Sequence, residues 1–167
     1  MSEYQILYFG TVNALNTNDR YDASTNIDGY PVSLDLHFDE RQLAAGLDTT
    51  INQFLEKIAA FHEAHRAVLR DDYDADGEAL DYIRFFLDEL GPRDLRRMLG
   101  DQFDNLSAPI QLLGKLQPVR IGIYPDAEGG FLAIFDYSLA INGRPSQQVL
   151  AIETDEQGEV LNIVWES

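Results

Sequence analysis

The apolar residues of this chain change their period twice, and that change limits the folds open to it more than any motif does. Val32, Leu34, Leu36 and Phe38 alternate with Ser33, Asp35 and His37. A period of two places one face of a strand in a core and the other in water. After residue 46, Leu47, Ile51, Phe54, Leu55, Ile58, Phe61, Val68 and Leu69 recur mostly at intervals of three and four. This predicts one long amphipathic helix over about residues 48–70, with Asp48, Thr49 and Thr50 available to cap its start. Leu80, Ile83, Phe86, Leu87 and Leu90 predict a second helix from near Asp76 to Gly91-Pro92, where glycine can take a left-handed cap and proline can open a short third helix to Gly100. A further turn or two is expected over residues 110–116. From Val119 the period of two returns in residues 119–124, 131–141, 147–154 and 160–165.

Two more strands are expected over residues 4–9 and 20–27, the second joined to residues 30–38 by Asp28-Gly29, a dipeptide suited to a tight hairpin turn. Segments 13–19 and 101–107 read as loops. Strands, then helices, then strands is an α+β order. The expected fold is one α+β domain over residues 1–167. Its mainly antiparallel sheet comes from an N-terminal hairpin and a C-terminal four-strand meander, and the central helices cover one face.

Charge narrows the partners. The chain carries 29 Asp and Glu against 12 Lys and Arg, a formal net charge of -17 on 167 residues. Such a field repels nucleic acid and attracts a basic protein over about 8 Å at physiological salt. With no cysteine, disulfides, thiolate metal sites and Cys nucleophiles are excluded, and a reducing, cytoplasmic setting is expected. No run of about eighteen apolar residues predicts a membrane span. Terminal strands can pair across a two-fold axis, so a homodimer is an open expectation.

Several strings bear on chemistry. Asp72-Tyr73-Asp74-Ala75-Asp76-Gly77 resembles the first half of an EF-hand loop, but the ninth and twelfth positions are Leu80 and Ile83, where calcium needs oxygen ligands. At most Asp72, Asp74 and Asp76 form a weak calcium site. The other reading is an acidic loop that complements the positive start of the next helix. His62 and His65 are three apart, not the four of a zincin helix, and read as packed histidines unless a third ligand arrives from elsewhere. No nucleophile-elbow serine and no phosphate-binding glycine loop is present.

Two acidic groups stand out: Asp71, Asp72, Asp74, Asp76, Glu78 and Asp81 at one helix entry, and Glu153, Asp155, Glu156 and Glu159 about the last hairpin turn. Each is either a solvated face or a docking surface for a basic partner. Arg93, Arg96 and Arg97 are expected to pair with Asp88 and Glu89 or to hold an anion.

The strings Leu34-Asp35-Leu36-His37-Phe38, Tyr82-Ile83-Arg84-Phe85-Phe86-Leu87, Val119 through Asp126, Phe135-Asp136-Tyr137-Ser138 and Leu150-Ala151-Ile152-Glu153 through Ser167 together resemble a bacterial domain-of-unknown-function family. The resemblance implies a bacterial source and an α+β fold, and it carries no assigned activity. In size and acidity the chain is loosely similar to immunity proteins of toxin systems. The expectation is therefore a non-enzymatic, acidic protein-binding domain without a cofactor. It would neutralise a basic toxin in the manner of an immunity protein. The alternatives are a calcium-responsive module or a metal-dependent hydrolase.

Overall fold

The computed structural model of the chain describes residues 3–13, 20–38, 45–126 and 128–167. The expected loop over residues 13–19 falls mostly outside them. The first strand, β1 (Glu3–Ile6), pairs with β2 (Gly10–Asn13) in a two-stranded hairpin of its own and does not join the main sheet. The main sheet starts with β3 (Arg20–Ile27) and β4 (Tyr30–His37), joined at Asp28 and Gly29, whose φ values of 55° and 82° are those of the expected tight turn.

The single long helix expected next is two helices. α1 (Leu47–Leu55) and α2 (Ile58–Asp74) meet at Glu56-Lys57, where the Lys57 amide bonds the Phe54 carbonyl at 2.9 Å, one residue short of helical spacing. No helix-breaking residue causes the break. Asn52 ties α1 to the first hairpin, donating to the Gln5 carbonyl at 2.9 Å and accepting from the Leu7 amide at 2.7 Å. The bend also brings the Phe54 and Phe61 rings to 5.0 Å, with both packed on Phe135. Tertiary packing thus overrides an unbroken helical period. Gly46, not Asp48, stands at the start of α1.

α3 (Glu78–Glu89) and α4 (Pro92–Leu99) are separated at Leu90 and Gly91, both extended. The left-handed glycine cap is absent because a residue before proline is held in the extended region. A 3-10 turn (Gly100–Gln102) and the short α5 (Ala108–Leu113) lead into β5 (Gln117–Pro125).

β6 (Phe131–Ser138), β9 (Val149–Thr154) and β10 (Val160–Glu166) follow in antiparallel order. The expected strand over 131–141 stops at Ser138, and β7 (Ala140–Ile141) pairs with β8 (Arg144–Pro145) as a small separate hairpin.

The six-stranded sheet has the order β10-β9-β6-β5-β4-β3, antiparallel except between β4 and β5. Those two strands are parallel because the whole helical segment crosses between them. Val32, Leu34, Leu36, Ile121, Ile123, Phe131, Phe135, Leu150 and Ile152 are buried on one face with the helices. Each large side chain withdrawn from water there contributes about 2 kcal/mol. Among the described residues no helix is long and apolar enough to cross a membrane.

Candidate functional site

The other face of the sheet carries the alternate residues, and its centre is a charged cluster rather than a scatter of solvated side chains. Asp35 on β4 is only 1% exposed although it points away from the helices. Arg120, its neighbour on β5, donates from Nε to Oδ1 at 2.8 Å and from Nη2 to Oδ2 at 2.6 Å, a two-pronged grip. Arg120 Nη1 also reaches Asp136 on β6 at 3.2 Å, and Nη2 donates to the Tyr124 hydroxyl. His37 donates from Nε2 to Asp35 at 2.5 Å and stacks on Tyr124, with centroids 4.7 Å apart and ring planes 6° from parallel.

Strand register explains the assembly. Asp35 pairs with Gly122 and Arg120 with Asp136. A Cβ on Gly122 would sit 2.6 Å from Arg120 Nη2 and 2.9 Å from the Tyr124 ring. The missing side chain is therefore the space in which Arg120 and Tyr124 meet. Burial works against the Arg120 charge, yet its bonds to Asp35 and Tyr124 hold its pKa above the ordinary value. Burial raises the Asp136 carboxyl, partly offset by Arg120.

Around this centre lie the half-buried apolar residues Leu132, Ile134, Val149 and Val164, with Asp22, Glu153 and Glu166 further out. Sequence reasoning passed over Asp35, His37, Arg120 and Tyr124 because polar residues at the wet positions of a strand are ordinary. Only the pairing of strands distant in sequence makes them a cluster.

The acidic groups singled out in the sequence do not combine. Asp71, Asp74, Asp76 and Asp81 are exposed and Asp72 and Glu78 half-buried at the α2–α3 junction. Asp72 accepts from the Ala79 amide at 2.7 Å, and its own carbonyl accepts from the Gly77 amide at 2.8 Å, so this carboxylate caps α3 from outside it. Asp74 faces Arg70 at 3.3 Å. Among the described residues no group of three or more His, Cys, Asp or Glu is placed to hold a metal ion.

Glu153, Asp155, Glu156 and Glu159 lie at the β9–β10 turn, where the Asp155 carboxylate accepts from the Gln157 and Glu159 amides at 2.9 Å. Gly158 in that turn abuts Phe61 near the start of α2. Asp74 is thirteen residues further along the helix, about 20 Å away. The two acidic groups are therefore separate, and of all these residues Glu153 alone lies on the open sheet face.

His62 and His65 are both 1% exposed, packed against the opposite side of β6. The Tyr137 hydroxyl lies 3.1 Å from His62 Nδ1 and 3.0 Å from His65 Nδ1, while His62 Nε2 lies 3.1 Å from Asp28. A carboxylate only accepts, so His62 carries its proton on Nε2, Tyr137 donates to His62 Nδ1, and His65 donates from Nδ1 to Tyr137. Burial lowers the pKa of both imidazoles, that of His65 to about 4, and raises that of the Tyr137 phenol.

Arg93, Arg96 and Arg97 do not pair with Asp88 or Glu89 among the described residues. Arg96 lies over the Phe103 ring at 5.7 Å and Arg97 donates to the Asn142 side chain at 2.9 Å. α4 thus turns Arg96 and Arg97 toward the elements that follow it. Comparison with protein-family models, with curated proteins and with solved structures finds no match to this chain.

Proposed function

We propose that this chain is a non-catalytic protein-binding module in which the sheet face opposite the described helices receives a basic partner protein. The observation that carries the reading is the make-up of that face. A rigid Arg-His-Tyr centre sits beside half-buried aliphatic side chains, with carboxylates from Asp22, Glu153 and Glu166 about it. Arginine and tyrosine held rigidly at the middle of a patch dominate binding energy, and charges at the rim set approach rate and partner choice. The overall charge of -17 favours a cationic surface opposite. Occlusion of a basic toxin such as a nuclease is one use of such a face, in line with the likeness to immunity proteins.

The test starts with a basic protein retained by the full chain at low salt and identified. Its affinity is then compared between the native chain and a variant carrying Asp22→Lys, Glu153→Lys and Glu166→Lys. The expected outcome is a loss of at least about tenfold, mainly in association rate, with an unchanged melting temperature. Equal affinity for the reversed face, or hydrogen-exchange protection confined to the helices, refutes the reading, as does failure to retain any basic protein.

A further inference from the structure

On the helix side of the sheet, a cavity of about 220 Å³ opens between α2, the end of α5 and β6. Its walls are Leu69, Ile110, Leu113 and Leu116, and its floor is Tyr137 and His62. The floor is polar by residue type, but its polar atoms already bond one another in the Asp28–His62–Tyr137–His65 chain. An apolar group entering the cavity therefore meets ring faces and leaf-shaped aliphatic side chains without stripping water from an unpaired polar atom.

Arg66 and Arg70 also line the cavity, one helical turn apart on α2. Their side chains are 43% and 53% exposed, so the two guanidiniums stand on its solvent side. Among the described residues Arg70 uses only Nε, toward Asp74 at 3.3 Å, and Arg66 uses Nη2 toward Asp28 at 3.0 Å, with its Nε 3.9 Å from Glu63. Among the described residues, Arg70 Nη1 and Nη2 and Arg66 Nη1 have no protein acceptor, so fork-shaped donors remain for an anion. Asp28, Glu63 and Asp74 stand beside these two guanidiniums, so recognition of an anion here rests on the open N–H forks rather than on a positive field.

We propose that this cavity binds a small aliphatic monocarboxylate, its carboxylate on Arg70 and Arg66 and its tail between Leu69, Ile110, Leu113 and Leu116. An engineered cavity of about 150 Å³ takes benzene, so this one suits a tail of about six to eight carbons. The site lies on the far side of the sheet from the proposed docking face and does not depend on it.

Octanoate is the probe, and octanamide, with the same tail and no charge, is its control. Titration calorimetry and melting of the full chain are expected to show saturable octanoate binding at millimolar concentration and a matching rise in melting temperature. Octanamide should bind about tenfold more weakly. Arg70→Gln should cost octanoate about tenfold and leave octanamide unchanged. Among the described residues its one side-chain partner is the exposed Asp74, so the unliganded melting temperature should hold. Ile110→Trp fills the cavity and should abolish both ligands. No saturable octanoate binding overturns the proposal, as does octanoate affinity unaltered in Arg70→Gln or equal affinity for octanamide. Should Ile110→Trp not fold, the Arg70→Gln comparison alone decides.

Discussion

Arg120 grips Asp35 with two parallel hydrogen bonds across the only parallel strand pair of the six-stranded sheet, on the face the helices leave uncovered. Asp35 is 1% exposed, and among the described residues its side-chain partners are this guanidinium and the His37 imidazole. Arg120→Leu leaves a buried carboxylate and should cost about 3–5 kcal/mol in urea unfolding, whereas the Asp35→Leu, Arg120→Leu double variant should recover most of that loss. Additive losses in the cycle would show that the two residues act independently.

Gly122 is the space that makes the grip possible. Its backbone is extended, so alanine fits the backbone, but its Cβ would press on Arg120 Nη2 and the Tyr124 ring at 2.6 and 2.9 Å. Gly122→Ala should destabilise by about 1–3 kcal/mol, the usual cost of overpacking. A control variant, Gly114→Ala, meets nothing nearer than 3.5 Å and should be near neutral. Equal effects of the two would refute the close-approach argument.

The elements were legible in the sequence because burial on one face imposes a period, which the residues of β4 and β6 obey most clearly. The cluster was not. Asp35 and Arg120 are 85 residues apart, and at that separation a charged residue on the wet side of a strand is indistinguishable from solvent-facing decoration until strand order is known. The same holds for Tyr137, which reads as a core aromatic although its hydroxyl joins His62 and His65 from α2. The break at Glu56-Lys57 was invisible for a different reason, since no residue there disfavours helix and what accompanies it is tertiary: Asn52 held by the first hairpin, and Phe54 and Phe61 meeting on Phe135.

His65 makes stability depend on pH with a defined sign. Its pKa is about 4 in the folded chain against 6.5 ordinarily, so the unfolded chain binds more protons between those values. Its contribution is complete above pH 6.5 and is lost as pH falls toward 4, about 2 kcal/mol of it by pH 5. His62, also lowered, adds in the same direction. Unfolding in urea from pH 7 to pH 5 should show this slope. His65→Phe, which keeps a ring against Phe135, should flatten it. An unaltered slope in that variant would place the proton uptake elsewhere.

The carboxylate of Asp72 and the bare backbone of Gly77 form one device at the start of α3. Asp72 Oδ2 accepts from the Ala79 amide at 2.7 Å, and a Cβ on Gly77 would stand 2.2 Å from Asp72 Oδ1. Asp72→Ala removes the cap and should cost about 1 kcal/mol. Gly77→Ala drives the carboxylate off the helix terminus and should cost at least as much, so the double variant should be little worse than Gly77→Ala alone. Thermal unfolding of the three variants tests this coupling. Strictly additive losses would mean that Gly77 acts through something other than the Asp72 carboxylate.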